Sequence, residues 1–191
     1  MNIIAEDLGM ITDSVRELLK ETGYPGMKVL QFAFDSGSDN AYLPFNFTNN
    51  NCVVYTGTHD NDTTMGWYET LAPAVKKVTR RYFNNWYSSD GAVVWDFIRL
   101  AESSIANLCV IPMQDFLCLG KEARINTPST LGNNFKWRLV KNQLSEQLRE
   151  DILDMVTVYG RFTPEPEEVE AEEVTAEENT EVEADTNEKE E

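Results

Sequence analysis

Apolar positions along the first 160 residues fall into two alternating patterns. Short β-branched or aliphatic runs are separated by stretches in which apolar residues recur at helical spacing. Asn2-Ile3-Ile4-Ala5 predicts a strand. Thr12 then caps a predicted helix with Val15, Leu18 and Leu19 on one face, and Gly23 supplies a left-handed stop. Met27 to Phe32 predicts a second strand and Cys52 to Tyr55 a third. Pro73 suits the first turn of a helix carrying Val75, Val78 and Tyr82 towards the core, with Trp86 continuing the same spacing. Val93 to Ile105 predicts another amphipathic helix, and Leu108-Cys109-Val110-Ile111-Pro112 the last strand, its ladder ended by the proline. Leu148, Ile152, Met155 and Tyr159 mark one face of a closing helix. Strands alternating with helices imply an α/β fold with a parallel sheet.

Two polar stretches interrupt this pattern. Ser36 to Asn51 is long for a connection between compact elements, and Asn126 to Lys136 is rich in Asn, Thr, Pro and Gly. The richest candidate for chemistry follows the third strand. Val53-Val54-Tyr55 runs into Thr56-Gly57-Thr58-His59-Asp60-Asn61-Asp62-Thr63-Thr64, which holds the only histidine of the chain. Reactive groups gather at such strand ends in strand–helix barrels. Spacing alone favours the plainer reading, a strand followed by an Asx-rich turn.

Charge separates the chain into two parts. The formal net charge is −17 over 191 residues. From Pro164 onward there are 14 acids against Lys189, which leaves only −4 for the residues before it. Residues 1–160 therefore read as one domain with a real core, and 161–191 as a disordered acidic tail too poor in apolar side chains to offset its ordering entropy. The tail serves solubility or a basic partner. No basic surface for nucleic acid is indicated. Met1-Asn2-Ile3-Ile4-Ala5-Glu6 meets an acid before any leader-like apolar run, and no stretch is long enough to span a bilayer. Cys52, Cys109 and Cys118 are odd in number and widely spaced, as expected of free thiols in a cytoplasmic protein. A metal site on His59, Asp60 and Asp62 lacks supporting ligands. No Gly-x-Ser-x-Gly elbow of a serine hydrolase is present.

Four ordered segments carry a family likeness. Ile3-Ile4-Ala5-Glu6-Asp7-Leu8-Gly9, Gly26-Met27-Lys28-Val29-Leu30-Gln31-Phe32-Ala33-Phe34, the His59-Asp60-Asn61 knot, and Ala123-Arg124-Ile125-Asn126-Thr127-Pro128 with Trp137-Arg138 resemble the amylomaltases, or 4-alpha-glucanotransferases, relatives of the alpha-amylases. The likeness runs from about Asn2 to about Tyr159. It implies the C-terminal half of a (β/α)8 barrel, strands five to eight. It also implies transfer of alpha-1,4-glucan segments between maltodextrins by a retaining double displacement. That chemistry needs an acid to protonate the leaving oxygen and a carboxylate to attack the anomeric carbon, roughly 5–5.5 Å apart. By resemblance Glu6 is the general acid/base and Asp60 the carboxylate that stabilises the transition state without attacking. His59 and Asn126 then bind the sugar, and no cofactor is implied. Tyr42, Phe45 and Phe47 of the long loop either stack on sugar rings or pin the loop to the core. Ser129 stands where the family usually has a glycine after the proline.

The family's nucleophile, an aspartate in an Arg-x-Asp-His type motif on the fourth strand, has no counterpart in this sequence. The chain therefore reads as a C-terminal fragment. Its expected partners are alpha-glucan and, if the enzyme is split, an N-terminal half. Half a barrel leaves open sheet edges prone to association. The alternative is a catalytically inert fragment that only binds alpha-glucan or pairs with the missing half.

Overall fold

A computed structural model describes residues 3–164. The acidic tail from residue 165 lies outside the described residues. Three parallel strands form the centre, β1 (Gly26–Val29), β2 (Cys52–Tyr55) and β3 (Leu108–Val110), in the spatial order β1-β2-β3. Gly26 pairs with Cys52, Val29 with Tyr55, and Tyr55 in turn with Val110. The C-terminal ends of β1, β2 and β3 thus open on one side of the sheet. Six helices accompany them: α1 (Asp13–Thr22), α2 (Thr64–Thr70), α3 (Pro73–Phe83), α4 (Asp90–Glu102), α5 (Met113–Phe116) and α6 (Glu146–Val158).

Local chemistry sets the helix ends. Ser89 Oγ accepts from Ala92 N–H, Ser145 Oγ from Leu148 N–H at 3.1 Å, and Thr63 Oγ1 from Gly66 N–H at 3.0 Å. Each satisfies an otherwise orphaned donor of a first turn. Pro73 sits in the first turn of α3, where its missing N–H costs nothing. Gly23, at φ +67°, takes the left-handed conformation that ends α1 and returns its N–H to the Leu19 carbonyl.

The core lies between the sheet and α2 and α4. Cys52 and Val54 of β2 meet Leu30, Tyr68, Val93 and Phe97 there. Phe97 is its hub. The rings of Phe34, Trp67 and Phe83 meet it edge-on at 5.0–5.3 Å, an arrangement favoured by the ring quadrupoles. The long loop 36–51 is pinned to the same core by Phe47, which is buried, and by Tyr42, whose ring meets Phe32 at 5.5 Å. Phe45 is exposed and stacks on Tyr82.

Several expectations change. Residues 2–5 do not extend the sheet as a strand: over the described part, Ala5 N–H bonds the Pro25 carbonyl at 2.9 Å and the ladder stops there. Proline has no N–H to return, and the next donor on that edge, Met27 N–H, is taken by the Asp7 side chain at 2.7 Å. The second strand ends at Val29, because Leu30–Phe32 tightens into a 3₁₀ turn. Val78, Tyr82 and Trp86 are exposed instead of core: α3 turns Val75, Thr79 and Phe83 inward, and Asn84, in the left-handed conformation, ends the helix before Trp86. The short helices α2 and α5 have too few turns to show a period and were not legible. No helix of the described residues is long and apolar enough to cross a membrane.

Candidate active site

The site is built on the loop between β2 and α2, beyond the C-terminal end of the central strand. Asn61 shapes it from within, its Oδ1 accepting from the Thr58 N–H at 2.9 Å and the Thr58 hydroxyl at 2.8 Å. This Asx arrangement presents the two residues between them, His59 and Asp60, to solvent on a fixed turn. Both side chains are about half exposed, with His59 Nε2 3.3 Å from Asp60 Oδ1.

A second loop, distant in sequence, clamps the first. Asn126 Nδ2 donates to Asp60 Oδ1 at 2.6 Å, and Asn126 N–H donates to the His59 carbonyl at 3.1 Å. Arg124 donates from Nη2 to the Asp60 carbonyl and from Nε to the Asn126 carbonyl, both at 2.7 Å. Its Nη1 also lies 4.0 Å from Asp62 Oδ2. One guanidinium thus holds both loops through its planar fork. Phe135, also from the second loop, tilts its ring towards His59 at 6.0 Å between centroids.

Glu6 reaches the same place from the other side. It lines a cleft of about 130 Å³ together with Leu8, Met27, Phe32, His59 and Asp60. Three of the four expected site residues therefore line one cleft, and the fourth, Asn126, is bonded to one of them. Glu6 is anchored between Ala5 and Asp7, each tied to the chain entering β1. The arrangement brings two carboxyl groups, an imidazole and an amide together beside apolar side chains. No group of three or more His, Cys, Asp or Glu placed to hold a metal ion occurs among the described residues.

Sequence reasoning missed Arg124 as a clamp and Asn61 as the loop's internal brace. The Arg-x-Asn spacing of Arg124 and Asn126 was the available signal, since alternate residues of an extended segment reach the same side. Phe135 left no such trace. It takes a left-handed backbone conformation at φ +58° in a stretch that reads simply as loop.

Parallel strands alternating with helices, with His59 and Asp60 just beyond the C-terminal end of β2, define an α/β protein of the strand–helix type. Residues 1–143 match the family described as 4-alpha-glucanotransferase, and the chain belongs to that family. It is 48% identical over 162 residues to the 4-alpha-glucanotransferase of Clostridium butyricum, covering 84% of this chain and 33% of the relative. It is also 48% identical over 149 residues to that of Thermus thermophilus, covering 76% and 30%. An amylomaltase from Streptococcus agalactiae, solved in complex with acarbose, superposes with a TM-score of 0.79 at 32% identity, covering 84% of this chain and 32% of that one. The chain thus spans about a third of the length of the relatives it matches.

Proposed function

We propose that this chain carries the acid/base and sugar-holding part of a 4-alpha-glucanotransferase, and that it represents strands five to eight of the enzyme's (β/α)8 barrel. The observation that carries this reading is the Asp60 carboxylate, fixed by Asn126 and His59 on the same cleft as Glu6. The attacking carboxylate comes from the remaining two thirds of the enzyme, as a separate chain or an upstream segment.

In the assembled site Glu6 gives its proton to the glycosidic oxygen as that bond to the anomeric carbon breaks. The attacking carboxylate meanwhile forms an ester with the same carbon. Glu6, now ionised, takes the proton from a hydroxyl of the acceptor glucan. That oxygen displaces the carboxylate and restores the alpha configuration. Asp60 accepts hydrogen bonds from hydroxyls of the sugar at the cleaved bond, and its negative charge favours the oxocarbenium-like state. His59 holds the same sugar. Because Asn126 occupies Asp60 Oδ1, the carboxylate is oriented before substrate arrives, which spares reorganisation in the transition state. The substrates on this reading are maltodextrins, no cofactor takes part, and the free thiols fit work in the cytoplasm.

The test is maltotriose disproportionation by the chain co-expressed with the N-terminal two thirds of the Clostridium butyricum relative. Glucose and longer maltodextrins are expected from the mixture and not from either part alone. Activity of the chain alone would mean that one of its own carboxylates attacks. No activity in a mixture shown to have assembled would leave a chain that binds glucan without transferring it.

A further inference from the structure

Below the loop that carries His59 and Asp60, two buried side chains from opposite sides close its base. The chain leaves β2 at Thr56 and enters α2 at Thr64. Asp115, on α5, is 1% exposed and reaches both points. Its Oδ2 accepts from the Thr56 hydroxyl at 2.5 Å and the Thr64 hydroxyl at 2.7 Å, and its Oδ1 accepts from the Thr64 backbone N–H at 2.8 Å. Gln31, 5% exposed, comes from the turn after β1. Its Nε2 donates to the Asp62 carbonyl at 3.0 Å and to Thr64 Oγ1 at 3.4 Å, while its backbone N–H donates to the Thr56 carbonyl at 3.2 Å.

These bonds have a definite polarity. The three partners of Asp115 all donate to it, so the geometry suits the ionised carboxylate. Yet Asp115 makes no ion pair among the described residues. Burial raises its pKa above the ordinary carboxylate value despite the three hydrogen bonds, and nearby Asp62 adds to the rise. A buried carboxylate without a counter-charge costs stability, and packing alone is served better by an apolar side chain.

We propose that Asp115, assisted by Gln31, is a positioning residue of the candidate active site: by tying Thr56 to Thr64 it sets where the loop between them places His59 and Asp60. The kinetic part of the test rests on the proposed glucan transfer, and the spectroscopic part does not.

His59 is the only histidine of the chain, so in the 191-residue protein labelled with 13C-histidine and paired with an unlabelled N-terminal part, which covers the open sheet edge, its imidazole Cε1–H gives one assignable NMR signal. Asp115→Asn replaces one acceptor oxygen by an amide donor, so the Thr56 and Thr64 hydroxyls that gave to it must turn round to accept or lose the bond. Thr64→Val removes a hydroxyl that Thr64→Ser retains. Ile98→Val, in the core cluster around Val94 and Met155, serves as the control for mild destabilisation. Asp115→Asn and Thr64→Val are expected to shift or split the His59 signal, while Thr64→Ser and Ile98→Val leave it in place. In the reconstituted enzyme the first two are expected to lower kcat by about 10- to 100-fold with little change in KM, as a misplaced reacting group does. Thr64→Ser is expected to keep kcat near wild type.

A His59 signal unmoved in folded Asp115→Asn and Thr64→Val overturns the proposal. So does a moved signal with unchanged kcat. If Asp115→Asn does not fold, the Thr64 pair decides alone. A moved signal in variants of a wild type that transfers no glucan leaves the positioning intact and counts against the functional reading.

Discussion

Asp60 Oδ1 receives the Asn126 amide at 2.6 Å and faces His59 Nε2 at 3.3 Å, so the protein itself fixes its orientation. A hydrogen bond to a charged group is worth about 1.5–3 kcal/mol. Asn126→Ala is therefore expected to lower kcat of the reconstituted enzyme by roughly 10- to 100-fold, and Asn126→Asp to do no better, since a second carboxylate beside Asp60 repels it. Steady-state kinetics on maltotriose check both. Gly57 makes a separate prediction. A Cβ there would stand 2.4 Å from Gln31 Nε2, whose two hydrogen bonds hold the loop base. Gly57→Ala is expected to displace that amide and broaden the His59 NMR signal without unfolding the chain. At this scale the sequence was informative where a residue carries its own chemistry. Glu6, His59, Asp60 and Asn126 could all be named from their segments, and the structure brings them together. Asp115 and Gln31 could not, because nothing local to either residue reveals a partner 59 or 31 positions away.

Among the elements, α4 and α6 pack through Val94, Ile98 and Met155 and are tied further by one arginine. Arg161, just past α6, donates to the carbonyls of Glu102, Ser104 and Ala106 at 2.7–3.0 Å, closing the C-terminal end of α4. Its Nε also lies 3.1 Å from Glu102 Oε2, and both side chains are largely buried. Burial raises the Glu102 carboxyl above the ordinary range, opposed by Arg161 and by a hydrogen bond with Cys109. Glu102 thus holds its proton more tightly in the folded chain than in the unfolded one. Its contribution to stability is greatest below the unfolded value of about 4.3 and falls as pH rises towards the raised folded value. Removing Arg161 raises the folded value further and enlarges that fall. Arg161→Ala is expected to cost about 3 kcal/mol at pH 7 and less at pH 4, where the stranded carboxyl is neutral. Urea unfolding at the two pH values measures the difference, and an equal loss at both would assign the whole effect to the carbonyl contacts. Elements with a long apolar period, α1, α3, α4 and α6, were legible in the sequence. The misreadings lie at ends, where a single backbone choice decides, as at Val29 and Asn84.

For the molecule as a whole, the sheet is the feature that needs completing. β3 pairs only with β2 among the described residues, and Leu108 and Val110 on it are partly exposed. An apolar strand with a free edge is a template for further pairing. The chain alone is accordingly expected to associate at micromolar concentration in sedimentation, and Val110→Lys to suppress this while also preventing reconstitution with the N-terminal part. The strand–helix alternation announced the parallel architecture, and the four family segments named candidate residues that lie near one another in space. The number of sheet-bonded strands was not legible, because it depends on Pro25 and Asp7 side by side in space, not on the apolar run at 2–5.

In the proposed mechanism Glu6 moves the proton in both halves of the transfer. Alpha-maltosyl fluoride tests it most directly, because fluoride leaves without being protonated and azide attacks without a base to deprotonate it. Reconstituted Glu6→Gln is predicted to lose maltotriose disproportionation yet convert alpha-maltosyl fluoride and azide to alpha-maltosyl azide, whereas Asp60→Asn fails with both donors. A Glu6→Gln variant that assembles normally but is as inactive on the fluoride as on maltotriose would contradict the account.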